Sequence, residues 1–317
     1  MSGNLKSSSK GKTMPAKFTY VKKRLYESRE LYLIFALPLL YFIVFRYGAM
    51  GWLQLAFRNF NPRLGLWDSP WVGLRHFRTF FAAPDFFRLL RNTVLLAVYN
   101  LLWFFPFPII LALMINEVRQ SRLKRFVQSV TYLPHFFSVV IIAGMMVSFL
   151  VRDGLINQII MFFGGSPVPF LSDPRWFRTI YIASEIWQGA GWASILYLAA
   201  LAGVNQEFYE SAVIDGASKL QQIRYISLPS IGPVISIMFL LGVGGMLNFG
   251  FQKILLIYSG PIYETADVIQ TFVFRRGIIG ADYGFASAVG LFQSLFSLIL
   301  IVTANSIARK LGGTSLW

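Results

Sequence analysis

Residues 207–229, EFYESAVIDGASKLQQIRYISLP, form a polar interval between two long apolar stretches of a 317-residue chain. Asn205, just ahead of it, offers a side chain that caps free backbone N–H groups, and Glu207 and Glu210 fall in the first turns, where a carboxylate suits the positive end of a helix. The helix breaks at Asp215-Gly216, because glycine permits a sharp reversal at little steric cost. A second short helix is predicted over 217–226, running into Leu228-Pro229. Two short helices set at an angle make a rigid knob able to fit a socket on another protein. The plainer alternative is a connector in which Gly and Pro are ordinary punctuation.

The flanks decide what the knob is held by. The mean hydropathy is +0.57, with 56% apolar and only 14% charged residues. A soluble chain of this size carries nearer a quarter charged residues. An all-α integral membrane protein follows. Crossing the hydrocarbon core takes about 20 mostly apolar residues, and six stretches qualify: 31–56, 92–116, 129–151, 178–202, 229–252 and 284–308. The absence of cysteine excludes disulfides, thiolate-held metals and thiol catalysis.

A net charge of +15 in a soluble protein points to nucleic acid. Its distribution here points to membrane instead, with no nucleic-acid partner. Lys6, Lys10, Lys12, Lys17, Lys22, Lys23, Arg24 and Arg29 precede the first stretch, Arg119, Arg122, Lys124 and Arg125 follow the second, and Lys219, Arg224, Arg309 and Lys310 share that side. The opposing connections hold fewer: Arg58, Arg63, Arg75, Arg78, Arg88 and Arg91, then Arg152, Arg175 and Arg178, then Lys253, Arg275 and Arg276. The positive-inside rule therefore places both termini, and the knob, in the cytoplasm. Residues 1–24 read as a basic, disordered cytoplasmic tail with affinity for anionic lipid. Residues 25–317 read as the transmembrane domain. A cleaved signal peptide is the wrong reading of the first stretch, since no small-residue cleavage site follows its apolar core.

Several breaks are legible. Segment 57–91, with Trp67, Pro70, Trp71 and Pro84, is too polar and too interrupted to cross; its Trp residues serve as interfacial anchors or as a surface for an external partner. Pro106 and Pro108 kink or locally unwind the second stretch. The third opens with Leu133-Pro134-His135, Pro suiting a first turn, and His135 reads as a packing residue. A short helix is expected at 154–163. Gly242, Gly244, Gly245 and Gly250 either let helices approach closely or mark backbone opened to a passing solute. Segment 258–283 is expected to dock a partner.

Polar groups inside spans are costly, roughly 2.5–3.5 kcal/mol for a charge at mid-membrane, and normally face the bundle interior. Glu185, Gln188 and Trp192 share one helical face, with Trp187 beside them. Asn100, Asn248 and Gln293 add amides. Carboxylates, amides and indole faces suit a sugar, whose hydroxyls need polar edges and whose ring needs flat apolar surfaces. The alternative is that these groups hold the bundle together. An ion-coupled transporter would need titratable groups on several spans, and Glu185 stands nearly alone; a non-transporting scaffold would not need the knob. No G-x-x-x-x-G-K-[ST] phosphate loop, H-E-x-x-H or nucleophile elbow occurs, so no catalytic or metal site is expected.

The knob resembles the EAA loop of permease subunits of binding-protein-dependent ABC importers. The family pattern is Glu-Ala-Ala, three residues, Gly, nine residues, then Ile-x-Leu-Pro. Here Glu210-Ser211-Ala212, Gly216 and Ile226-Ser227-Leu228-Pro229 keep every spacing, with Ser211 the one departure. RNTVLLAVYN at 91–100, YLPHFFS at 132–138 and the ending ARKLGGTSLW are similar to the carbohydrate-uptake branch, and to its subgroup that handles oligosaccharides from polysaccharide breakdown, alginate included. The resemblance implies a type I importer permease in the bacterial cytoplasmic membrane, with no enzymatic activity or cofactor of its own. It implies as partners a second, different permease subunit, two copies of a cytoplasmic ATPase that bind ATP and Mg, and an extracytoplasmic sugar-binding protein. Within a coupling loop at 205–229, Glu210, Ser211, Ala212, Asp215, Gly216, Ala217, Ile226, Leu228 and Pro229 would meet the ATPase, Glu210 through a cation. An amino-acid or peptide permease is the nearest rival.

Overall fold

The computed structural model describes residues 27–247 and 250–310. The expected basic tail, Asn248 and the last part of ARKLGGTSLW lie outside the described residues. Two compact units are distinguished, residues 1–54 and 55–317. The first contributes most of helix α1 (Arg29–Phe57), whose apolar side chains from Leu31 to Met50 are exposed throughout. It contains Pro38, and a π turn at Phe42–Tyr47 follows.

The described part of the second unit is built of helices and irregular connections, and among the described residues only two isolated bridges, Arg58 with Trp71 and Asn61 with Gly65, are strand-like. After α2 (Arg75–Phe81) come α3 (Phe86–Glu117), α4 (Ser121–Tyr132), α5 (Val139–Leu150), α6 (Leu155–Phe162) and α7 (Pro174–Ala202). The knob consists of α8 (Gln206–Ile214) and α9 (Lys219–Ser230). Beyond it lie α10 (Gly232–Gly245), α11 (Phe251–Ile257), the short α12 (Tyr263–Ala266), α13 (Ile269–Val273) with a π turn to Ile279, and α14 (Tyr283–Lys310).

Four runs are long and apolar enough to cross a membrane: α1, α3, 139–162 and α14. A fifth arises if α9 and α10, bent by 62°, count as one. Helix α7 has 29 residues, roughly 43 Å, enough to cross the roughly 30 Å of hydrocarbon. It is less apolar because it carries Arg175, Arg178, Glu185 and Gln188.

Two expected boundaries move. The stretch 129–151 is not one continuous helix: α4 ends at Tyr132, Pro134 sits in a 3-10 turn (Leu133–Phe136), and α5 starts at Val139, where the Ser138 hydroxyl caps Ile141 N–H at 3.3 Å. The fifth does not run unbroken to 252. It ends at Gly245, and Gly250 adopts the left-handed region at φ 35° to start α11. The expected disturbance near Pro106 and Pro108 is a π turn, Asn100–Phe104, directly ahead of them.

Close approach is needed where helices cross. A Cβ on Gly191 of α7 would collide with the Thr131 carbonyl oxygen of α4, and one on Gly244 would lie 2.6 Å from Ile301 Cδ1 of α14. Glycine lets these backbones meet. Apolar side chains fill the remainder. Leu96, Phe177, Tyr181, Ile254 and Ile262 form one cluster, Phe80, Leu89, Ile269 and Phe285 another, and Ile109, Tyr197 and Ile231 a third near the knob.

At the end of α7 away from the knob, an ionic network ties 258–283 to α3. Asp267 is fully buried; Arg275 grips its two oxygens at 2.8 Å each, Arg88 approaches to 3.6 Å, and the Thr271 hydroxyl donates to it at 2.8 Å. The Asn92 amide donates to the carbonyls of Glu264 and Asp267 and accepts from Arg178. Arg275 lies over Tyr263, its centre 4.9 Å from the ring. The hydrogen bonds to Asp267 raise the Arg275 pKa above its already high ordinary value, so the guanidinium stays charged. Removing one member of a buried pair strands the other. Asp267→Ala should therefore destabilise the protein by about 3–5 kcal/mol, read as a lower thermal midpoint in detergent; an unchanged midpoint would refute this role.

Candidate functional site

The knob is built from caps. The Asn205 side chain accepts from Glu207 N–H at 3.1 Å and donates to the Glu207 carboxylate at 3.0 Å. At the other end of α8, Gly216 takes φ 74°, Gly216 N–H bonds the Val213 carbonyl at 3.1 Å, and Ala217 N–H bonds the Ala212 carbonyl at 2.8 Å. This paired closure is the Schellman ending, and its left-handed residue favours glycine. One residue later, Ser218 and Gln221 form a capping box that starts α9.

The second knob helix extends further than expected. It does not stop at 226 but continues to Ser230 through a π turn, Ile223–Ser227, in which Leu228 N–H reaches the Ile223 carbonyl. Pro229 has no N–H to donate, and the wider turn lets the helix pass through it. The two arms are joined by the Tyr209 hydroxyl against Ser227 Oγ at 2.9 Å, and Gln222 Nε2 of α9 holds the turn by donating to the Ala217 carbonyl at 3.1 Å. Lys219 pairs with Glu117 at 3.3 Å, tying the elbow to the end of α3.

Glu210, Ser211, Asp215, Gly216, Leu228 and Pro229 are exposed, while Ala212, Ala217 and Ile226 are half-buried. Around them Phe208, Val213, Ile214, Leu220 and Tyr225 are each at least 60% exposed. Large apolar side chains exposed on a polar elbow mark a surface that meets another protein or the membrane.

The five other singled-out residues that are described are not brought to one place. Glu185 pairs with Lys253 Nζ at 2.5 Å, and Lys253 is only 2% exposed. Lys253, expected among the loop cations, is thus a buried residue of α11, and Glu185 is not alone. Gln188 donates to the Phe137 carbonyl at 3.4 Å, Trp192 stacks on His135 at 4.7 Å, and Gln293 donates to the Leu247 carbonyl at 2.5 Å beside the break in the fifth span. Asn100 opens the π turn of α3 and lines a cavity of about 190 Å³ with Pro108, Tyr197 and Met246. Trp187 lines a different, apolar hollow with Met145 and Phe149.

Sequence reading missed Lys253, Tyr181 and the close seat of Gly250, where a Cβ would strike the Tyr181 hydroxyl. A lysine inside the apolar run FQKILLI was the available signal.

These features define a helical integral membrane protein with one rigid, capped and exposed elbow. Residues 104–312 match the family described as "Binding-protein-dependent transport system inner membrane component", and the chain belongs to that family. It is therefore a transport component of the inner membrane rather than an enzyme. Protein LplB of Bacillus subtilis (strain 168) is 45% identical over 281 residues, 88% of either chain. The polygalacturonan/rhamnogalacturonan transport system permease protein YteP of the same organism is 42% identical over 290 residues, 91% of this chain and 90% of its own. A chain in the crystal structure of a bacterial ABC transporter that imports the acidic polysaccharide alginate superposes with a TM-score of 0.86 and 41% identity, over 92% of this chain and 99% of that one. The fold is that of a type I ABC importer permease.

The Glu185–Lys253 contact makes a test possible. Glu185→Gln leaves a buried ammonium uncompensated and should lower thermal stability by about 3 kcal/mol. Glu185→Gln combined with Lys253→Met should recover most of that loss. Strictly additive losses in a double-mutant cycle would show that the two do not act as a pair.

Proposed function

We propose that this chain is one of two different permease subunits of an ATP-driven importer of oligosaccharides released from polysaccharides, and that the elbow at 205–229 receives the motion of the ATPase. The geometry of that elbow carries the proposal. Glu210, Ser211, Ala212, Asp215, Gly216, Ala217, Ile226, Leu228 and Pro229 sit on or beside a turn locked by caps at both helices, ringed by exposed apolar side chains. A stiff pair of helices transmits rigid-body movement, so an ATPase gripping it switches the bundle between inward-open and outward-open states.

Six spans with both termini in the cytoplasm complete the reading: α1, α3, α5 with α6, α7, α9 with α10, and α14, oriented by the cation bias. The partners are two copies of a cytoplasmic ATPase carrying ATP and Mg, a second permease subunit and an extracytoplasmic sugar-binding protein. A structure of an alginate ABC transporter with a pentasaccharide-bound periplasmic protein, whose matching chain is 40% identical with a TM-score of 0.85 over 93% of this chain and 99% of its own, supports the last of these. Fragments of acidic polysaccharides are the favoured cargo, since that chemistry appears in the names of the YteP relative and of the alginate transporter.

The solute path is assigned to Asn100, Glu185, Trp187, Gln188, Asn248 and Gln293, with Asn100 at a π turn, where functional sites often lie. Asn100→Ala and Trp187→Ala should each raise the KM for uptake several-fold; unchanged uptake kinetics in both would remove these two residues from the path.

Gly216→Pro should leave membrane insertion intact while sugar-stimulated ATP hydrolysis no longer drives uptake, because proline cannot adopt the positive φ of this turn. Full uptake by that variant in reconstituted vesicles would defeat the lever. Stimulation by amino acids or peptides instead of oligosaccharides would redirect the cargo.

A further inference from the structure

Helix α4 is a short amphipathic helix between α3 and α5. It is tethered between two membrane-crossing helices, with three residues between it and the end of α3 at Glu117 and six between it and the start of α5 at Val139. It starts near the membrane face at which α3 ends and packs on α7 as far as Gly191. The Glu117–Lys219 pair marks that face as the one bearing the elbow.

Its sides are sorted. Half-buried Lys124, Val127, Gln128 and Thr131 face the bundle, and none of its residues is fully buried. The free side carries two adjoining strips. Arg122 and Arg125, with Arg119 just ahead, form a cationic strip; Leu123, Phe126 and Val130, at 47%, 65% and 53% exposure, form an apolar one. No acidic residue occurs between Glu117 and Val139, and Arg119, Arg122 and Arg125 make no ion pair among the described residues. Cations beside apolar side chains on one helix are complementary to the boundary between phosphate headgroups and acyl chains.

We propose that the start of α4 binds anionic phospholipid headgroups through Arg119, Arg122 and Arg125, while Leu123, Phe126 and Val130 lie against the acyl chains beyond them. Because Gly191 seats α4 directly on α7, the lipid contact reaches the helix that leads into the elbow.

The chain has no cysteine, so Val130→Cys accepts a single environment-sensitive fluorophore, with the unsubstituted complex as the labelling blank. The complete importer is reconstituted in phosphatidylcholine vesicles containing a minor fraction of either brominated phosphatidylglycerol or brominated phosphatidylcholine. The anionic brominated lipid should quench the label several-fold more strongly, and that preference should fade at high salt. R119Q/R122Q/R125Q on the labelled chain should abolish the preference while quenching itself remains. Equal quenching by the two lipids in the parent protein, or a preference that survives the triple substitution, would overturn the proposal. Absence of quenching by either lipid would overturn it too, and would show that another subunit covers this side. The salt titration on the parent protein keeps the test decisive if the triple variant fails to assemble.

Discussion

Hydrocarbon offers a peptide group no hydrogen-bond partner, so backbone inside a bilayer must satisfy itself. That constraint accounts for the all-helical character of the described chain and for how each interruption is repaired. At two prolines that remove a donor a π turn precedes the ring: at Asn100–Phe104 ahead of Pro106, and at Ile223–Ser227 ahead of Pro229. Where the fifth span breaks, Gln293 of α14 donates to the freed Leu247 carbonyl. Beyond the break, Lys253 and Glu185 hold α11 against α7. The irregular segments are bonded to neighbouring helices, which is the condition for irregular backbone at membrane depth.

The same constraint divides labour among the polar residues. Glu185, Gln188 and Gln293 all make bonds between elements of the bundle, the quieter of the two roles open to such groups. A residue that holds helices together in one state can also release them in another, because alternating access requires these packings to have two arrangements. A buried ion pair between α7 and α11 suits that use: it is directional, and breaking it leaves an uncompensated charge.

The elbow is governed differently. In water its peptide groups have partners everywhere, and rigidity comes instead from local chemistry: Asn205 and Ser218 at the starts, Gly216 at the reversal, and the Tyr209–Ser227 hydroxyl contact between the arms. Such short elements would fray in isolation. Caps at each end and anchorage to α3 through Lys219 and Glu117 let them move as one body.

Much of this was legible in the order of residues. Apolar runs near 20 residues declare membrane helices, because a helix of that length matches the thickness of the hydrocarbon core. Local codes, Asn205 before a helix and Gly216 after it, act over a few residues and need no knowledge of the fold. Expectation and structure part where distant segments meet. That Lys253 is a buried partner of Glu185 and not a loop cation depends on residues 68 positions apart coming into contact. That α4 packs directly on α7 depends on Gly191 giving it a seat there. A sequence states which groups must be satisfied and which short turns are allowed; only the packed chain decides which distant partner does the satisfying, because that choice is made by proximity in space.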